Sequence, residues 1–199
     1  DIHAGILPDW QQNVKRLLDV TIATLGLIVL SPLMLYTWIR VRFSSPGPVL
    51  FIQERIGYKG RPFQMIKFRS MYTDAEKDGP RLSHDHDERI TNWGKTMRKW
   101  RLDELPQLWS ILNGDMSFVG PRPALFNQHD LIELRTQHEV HTLPPGLTGW
   151  AQINGRDELP IPQKVALDRA YFEQRGFWFD IKIIILTFVK VLRRDGITH

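Results

Sequence analysis

The sequence predicts a helix-rich α/β (α+β) fold, a small β-hairpin plus helices, whose N-terminal part lies in or against a membrane. Three observations carry this. Twenty consecutive uncharged, mostly apolar residues run from Val20 to Ile39 (VTIATLGLIVLSPLMLYTWI). Two short runs of strand-forming residues flank a glycine turn, and apolar residues recur at helical spacing in several later stretches. The 199 residues suit about one domain, and 42% hydrophobic with 24% charged residues is a globular composition. The absence of cysteine excludes a disulfide scaffold, a thiolate metal site and a catalytic thiol. A net charge of +4 and a pI near 9.5 favour an anionic, phosphate-bearing partner.

The apolar segment would be about 30 Å long as a straight helix, the thickness of a bilayer core. Two features argue against a simple span. Pro32 sits in its interior and breaks the hydrogen-bond ladder, and basic residues flank both ends, Lys15 and Arg16 before it and Arg40 and Arg42 after it. A re-entrant helix broken at Ser31-Pro32 satisfies both, with the hydroxyls of Ser31, Thr21 and Thr24 available to the freed carbonyls. No small-residue cleavage site follows, so the segment is not a signal peptide. Residues 1–43 then form an N-terminal stub and re-entrant membrane helix, and 44–199 one domain on the cytoplasmic face, the side to which the basic flanks assign both ends.

The breaker cluster Ser44-Ser45-Pro46-Gly47-Pro48 leads into a strand over Val49 to Gln53, a turn at Gly57-Tyr58-Lys59-Gly60 and a second strand over Pro62 to Met71. On the second strand the two-residue period places Lys67 and Arg69 on one face and Ile66 and Phe68 on the other. Thr73 to Glu88, polar and rich in Asp, Gly and His, reads as a mobile surface loop. Thr91 to Trp100 reads as a helix carrying Arg98, with Arg101 three residues on. A new helix is expected from Asp103, an N-cap residue followed by Glu104 and a first-turn Pro106, with Leu105, Leu108, Trp109 and Leu112 as its apolar stripe up to Gly114. Gly120-Pro121-Arg122-Pro123 reads as a rigid clip presenting one arginine. Helices are expected near Gln128 to Gln137 and over Gln163 to Gln174, separated by a glycine-punctuated run ending at Arg156. Phe179 to Arg194 is amphipathic, with Asp180, Thr187, Lys190 and Arg194 on a polar stripe, and suits either the membrane surface or the core.

Asp103 and Glu104 could be caps only. Several cations nonetheless fall near them in sequence or on facing elements: Lys67, Arg69, Arg98, Arg101 and Arg122 could converge on one phosphate-rich ligand. A carboxylate in such a field stays ionised at neutral pH, which suits a nucleophile or a Mg²⁺ ligand, and Asp103 is the candidate for both. The run His84-Asp85-His86-Asp87 resembles a metal cluster but lacks partners at helical spacing, so a solvated loop is the better reading. No Walker-A, dinucleotide-binding or serine-hydrolase motif occurs, and no nucleic-acid signature, so no nucleic-acid partner is expected.

Six ordered motifs carry a resemblance that spans nearly the whole chain: Lys15-Arg16-Leu17-Leu18-Asp19, Ser31-Pro32, Lys67-Phe68-Arg69-Ser70-Met71, Leu102-Asp103-Glu104-Leu105-Pro106-Gln107, Gly114 through Pro123, and Pro145 through Gln152. Together they resemble the bacterial sugar transferases, the monotopic phosphoglycosyl transferases. The resemblance implies an α/β fold with interfacial helices and a re-entrant helix broken at Ser31-Pro32. It implies transfer of a sugar-1-phosphate from a UDP-sugar to undecaprenyl phosphate at the bacterial inner membrane, with release of UMP, as the initiating step of surface-glycan assembly. The nucleophile of the family's Asp-Glu dyad maps onto Asp103, its assisting Glu onto Glu104, and Mg²⁺ to the dyad. Arg98, Arg122 and Arg156 fall where the family keeps basic residues. Many relatives carry Ser or Thr two residues before the dyad Asp, where this chain has Arg101. Family analogy also points to a homodimer. Two competing readings are a non-catalytic membrane-surface binding module and a hydrolase of a nucleotide sugar or polyprenyl diphosphate.

Overall fold

The computed structural model describes residues 7–75, 77, 79, 87–155 and 159–193. Its first two helices, α1 (Asp9–Val29) and α2 (Ser31–Ser44), meet at Leu30 with a bend of 63°. Pro32 has no N–H to offer the carbonyl of Ile28 one turn back, and the Ser31 hydroxyl donates to that oxygen instead at 2.7 Å. The Thr24 hydroxyl does not serve the break as expected; it donates to Val20 within its own helix. Among the described residues no single helix is long and apolar enough to cross a membrane, and this bent pair passes that test only as a pair.

Both arms of the pair are anchored to the same body. Ala23 of α1 is buried among Leu108, Ile111 and Met116, while Val41 of α2 is buried among Val49, Phe68 and Met97. Lys15 and Arg16, expected at a membrane boundary, instead hold the body: Lys15 pairs with Asp180, and Arg16 donates to the Ile111 and Leu112 carbonyls near the end of α4 (Gln107–Asn113). Buried Asp19 accepts from the Ser117 hydroxyl at 2.7 Å and from the Phe118 N–H. The outward side of the pair remains apolar, with Leu25, Ile28, Val29, Leu35 and Phe43 exposed.

The expected hairpin forms from β1 (Leu50–Ile56) and β2 (Pro62–Phe68), joined by a turn in which Lys59 is left-handed. β1 also pairs with the two-residue β4 (Ala124–Leu125), giving the order β2-β1-β4. β3 (Ser117–Val119) and β5 (Gly146–Thr148) form a separate parallel pair. Three glycines make that second pairing close-packed. A Cβ at Gly120 would stand 2.4 Å from the Pro144 oxygen, at Gly146 2.1 Å from the Gly120 nitrogen, and at Gly149 2.1 Å from the Gly120 oxygen. The two glycine-containing motifs are therefore the two sides of one backbone contact.

α3 (Asn92–Lys99) forms within the span expected to be helical, with Thr91 as its cap, accepting from the Gly94 N–H at 2.9 Å. α5 (His129–Gln137), α6 (Trp150–Ile153), α7 (Ile161–Gln174) and α8 (Phe177–Arg193) complete the chain. The polarity of α8 is the reverse of the usual surface helix. Asp180 accepts from Lys15 and from the Tyr171 hydroxyl, Thr187 bonds Thr148, and Ile183 is buried against Val119 and Tyr171, so Asp180 and Thr187 of the expected stripe face inward, while Arg194 lies outside the described residues. Trp178, Ile185, Phe188 and Leu192, recurring at helical spacing, face outward. Most of the loop expected over Thr73 to Glu88 lies outside the described residues, as do His84, Asp85, His86 and Arg156. Asp87 is described and is not solvated: it is buried and paired with Arg89.

Candidate active site

Asp103 and Glu104 do not cap a helix as expected. They lie in a 3₁₀ turn, Leu102–Glu104, and α4 begins at Gln107, after Leu105 and Pro106 in helical conformation. The chain is brought into this turn by Arg101, a non-glycine residue in the left-handed region (φ 54°, ψ 25°). That conformation costs about 1 kcal/mol. Its side chain offsets the cost: Nε donates to Glu104 Oε2 at 2.8 Å, and a terminal nitrogen donates to the same oxygen and to the Leu147 carbonyl at 2.9 Å.

The other oxygen of Glu104 faces Lys67 Nζ and an Arg122 terminal nitrogen, each at 3.5 Å. Buried Glu104 thus gathers cations from β2, from the turn itself and from the clip after β3. Asp103 is also buried, but it accepts no hydrogen bond from the described residues. Arg98 faces it from α3 and donates through Nε to the Ser70 hydroxyl at 2.9 Å. Burial pulls the Arg98 guanidinium below its ordinary range, and Asp103 is the largest influence restoring it. Burial likewise lowers Lys67 from 10.5 to about 8, with Glu104 opposing and Arg122 reinforcing the drop.

Of the cations expected here, Lys67, Arg98, Arg101 and Arg122 converge on the dyad, and Arg156 lies outside the described residues. Arg69 does not join them. β2 ends at Phe68, so strand alternation no longer governs Arg69; its terminal nitrogens donate to the carbonyls of Pro46 and Ser45 at 2.7 and 2.8 Å. Arg69 fastens the loop after α2, and the basic face expected of Lys67 and Arg69 does not exist as a unit.

Sequence reasoning missed Gln53 and Arg55. In the β1–β2 register Gln53 is opposite Met65 and Phe51 opposite Lys67, so Gln53 and Arg55 share the face of Lys67. Both are buried; Arg55 Nε donates to Gln53 Oε1 at 2.9 Å and a terminal nitrogen to the Pro123 carbonyl at 3.2 Å. The signal was two polar residues at a spacing of two on the strand facing Lys67 across the hairpin.

A Mg²⁺ ion would find one suitable carboxylate here. Glu104 is taken up by cations on both oxygens, whereas Asp103 is not, and Mg²⁺ commonly uses one carboxylate together with phosphate oxygens and water. Among the described residues no cluster of three or more His, Asp or Glu could hold a metal alone, so the donor set fits an ion shared with a phosphate ligand.

A buried acidic dyad ringed by cations, on a body that also carries a bent apolar helix pair, is a site with the charge to hold an anionic ligand. The chain belongs to the bacterial sugar transferase family, whose model matches residues 10–194. It is similar to the undecaprenyl-phosphate glucose phosphotransferase of Komagataeibacter xylinus (42% identity over 91% of this chain and 36% of that one). It is equally similar to the uncharacterized sugar transferase EpsL of Bacillus subtilis (strain 168) (42%, over 92% and 90%). The UDP-glucose:undecaprenyl-phosphate glucose-1-phosphate transferase of Escherichia coli (strain K12) is 41% identical over 89% of this chain and 40% of its own. The chain thus spans about two fifths or less of two of these relatives and nine tenths of the third.

Proposed function

We propose that the chain transfers a sugar-1-phosphate from a UDP-sugar to undecaprenyl phosphate, releasing UMP, through a covalent phosphosugar on Asp103. The observation that carries the reading is the contrast within the dyad: Glu104 is occupied by cations, and Asp103 is buried beside Arg98 with its oxygens unengaged by the described residues. A carboxylate held so is a nucleophile for an electrophile that the cations attract. An Asp103 oxygen attacks the phosphorus that bears the sugar. The bond from that phosphorus to the bridging oxygen breaks, and UMP leaves with the electron pair. Lys67, Arg101 and Arg122, oriented by Glu104, offset the charge developing on the departing phosphate. An oxygen of undecaprenyl phosphate then attacks the same phosphorus, freeing Asp103 and giving the lipid diphosphosugar. Mg²⁺, held through Asp103, would supply further neutralisation of the diphosphate charge.

The packing of both arms of the bent pair on one body supports a re-entrant arrangement, in which both ends lie on one side of the membrane and the pair turns within one leaflet at Ser31-Pro32. The outward apolar stripe of α8 rests on the same surface, and the site faces the cytoplasm, where UDP-sugars are made. A non-catalytic module would not need an unengaged buried carboxylate among cations.

The test uses the full chain in nanodiscs with UDP-glucose or UDP-N-acetylgalactosamine and undecaprenyl phosphate, following UMP. The expected result is lipid-dependent turnover that Asp103→Asn abolishes, and a donor-only mass adduct on the peptide carrying Asp103. Activity retained by Asp103→Asn refutes the reading; sugar phosphate release without lipid makes it a hydrolase.

A further inference from the structure

The clip Pro121-Arg122-Pro123 has two residues that cannot donate a backbone hydrogen bond, yet each of its three carbonyls is held from a different element. The Gly146 N–H donates to Pro121 O at 2.8 Å, Arg135 to Arg122 O at 2.7 Å, and Arg55 to Pro123 O at 3.2 Å. Arg135 comes from α5 and is itself fixed by α7: its Nε and a terminal nitrogen donate to Asp168 Oδ2 at 2.9 and 2.7 Å, with both side chains buried. Asp168 sits among apolar residues, Val165 and Tyr171 of the same helix being buried beside it in sequence. Burial raises the Asp168 carboxyl above its ordinary value, and Arg135 and Lys164 oppose that rise.

An arginine on a chain without its own N–H bonds has nothing local to fix its direction. Here the backbone beneath it is set by two buried guanidiniums and a strand. We propose that Arg135, fixed by Asp168, is a positioning residue for Arg122, and that this α5–α7 pair acts on donor turnover through the Arg122 carbonyl. Arg55 performs the same office one residue later. The inference rests on the reading that Arg122 engages the donor's diphosphate. Neither Arg135 nor Asp168 touches the dyad, so a purely structural pair would alter stability and leave the donor kinetics of the folded enzyme alone.

The test is a double-mutant cycle on the full chain in nanodiscs, with UMP release measured against UDP-glucose concentration. Arg135→Lys keeps the charge opposite Asp168 but cannot span both Asp168 and the Arg122 carbonyl. In the Arg122-containing protein it should lower kcat/KM for the donor by about tenfold, the worth of one charge-assisted hydrogen bond. On an Arg122→Ala background the same change should cost less than about twofold. Asp168→Asn, which keeps an acceptor for Arg135, should show the same coupling at smaller size and serves if Arg135→Lys does not fold, as judged by circular dichroism. Equal losses in both backgrounds, or no loss with Arg122 present, overturn the positioning role while leaving the proposed transferase intact. An Arg122→Ala enzyme as active as the parent overturns the donor-phosphate reading of Arg122, and with it this one.

Discussion

Raising the pH from 8 to 10 should stabilise the fold through Lys67. In the unfolded chain this lysine keeps its proton up to about its ordinary value of 10.5, whereas burial beside Arg122 brings the folded value to about 8. Between those values the unfolded state holds more protons, so stability rises with pH. Below pH 8 the cost of burying the charge is present in full, and above 10.5 it is gone. The gap corresponds to about 3 kcal/mol when fully titrated, of which about 2 kcal/mol accrues between pH 8 and 10. Other lysines and tyrosines titrate in this window, so the quantity to measure is a difference. Urea unfolding followed by tryptophan fluorescence, at fixed detergent, compares the parent with Lys67→Met at pH 7, 8, 9 and 10. The parent midpoint should climb relative to the variant by about 1 M between pH 8 and 10. Parallel curves, or a parent that loses ground as pH rises, would show that Lys67 is not held as a desolvated charge.

Glu104→Gln leaves Lys67, Arg101 and Arg122 without their shared carboxylate, and should cost about 3 kcal/mol, a fall of about 9 °C in Tm for a chain of this size; calorimetry with a shift under about 2 °C would contradict the anchoring role. Phe188→Glu on the outward stripe of α8 should leave the circular dichroism spectrum unchanged and weaken cosedimentation with phosphatidylglycerol vesicles at least about tenfold; undiminished binding would put the membrane elsewhere. Cysteines placed at the exposed positions Asp9 and Arg42 of this cysteine-free chain should react with an impermeant maleimide from the same side of sealed vesicles, and opposite-side labelling would restore a simple span.

Much of the architecture was readable because it is written in local chemistry. The helix after Thr91, the Gly57–Gly60 turn and the Ser31-Pro32 break each depend on residues within a few positions of one another, and each forms as expected. The convergence of Lys67, Arg98, Arg101 and Arg122 on the dyad was legible as a set of motifs, although their spacing alone did not bring them together. What escaped the sequence was long-range. β3 and β5 are too short to leave a periodic trace, and their pairing is specified by glycines 26 and more residues apart whose role is to have no side chain. Arg69 was misplaced because strand alternation was extended past the residue where the strand stops. Asp103 was misplaced as a cap because the left-handed Arg101 diverts the chain one turn before α4 begins. The stripe on α8 was recognised, but periodicity gives no sense of which side of it meets the body.

The link between Lys15 and Asp180 joins residues 165 positions apart. Until α8 has been synthesised, the ammonium on α1 lacks this counterion, although the apolar side of α1 exists long before. Deleting α8 would therefore leave a largely buried ammonium on α1 without its carboxylate, so the two helices must be kept or lost together.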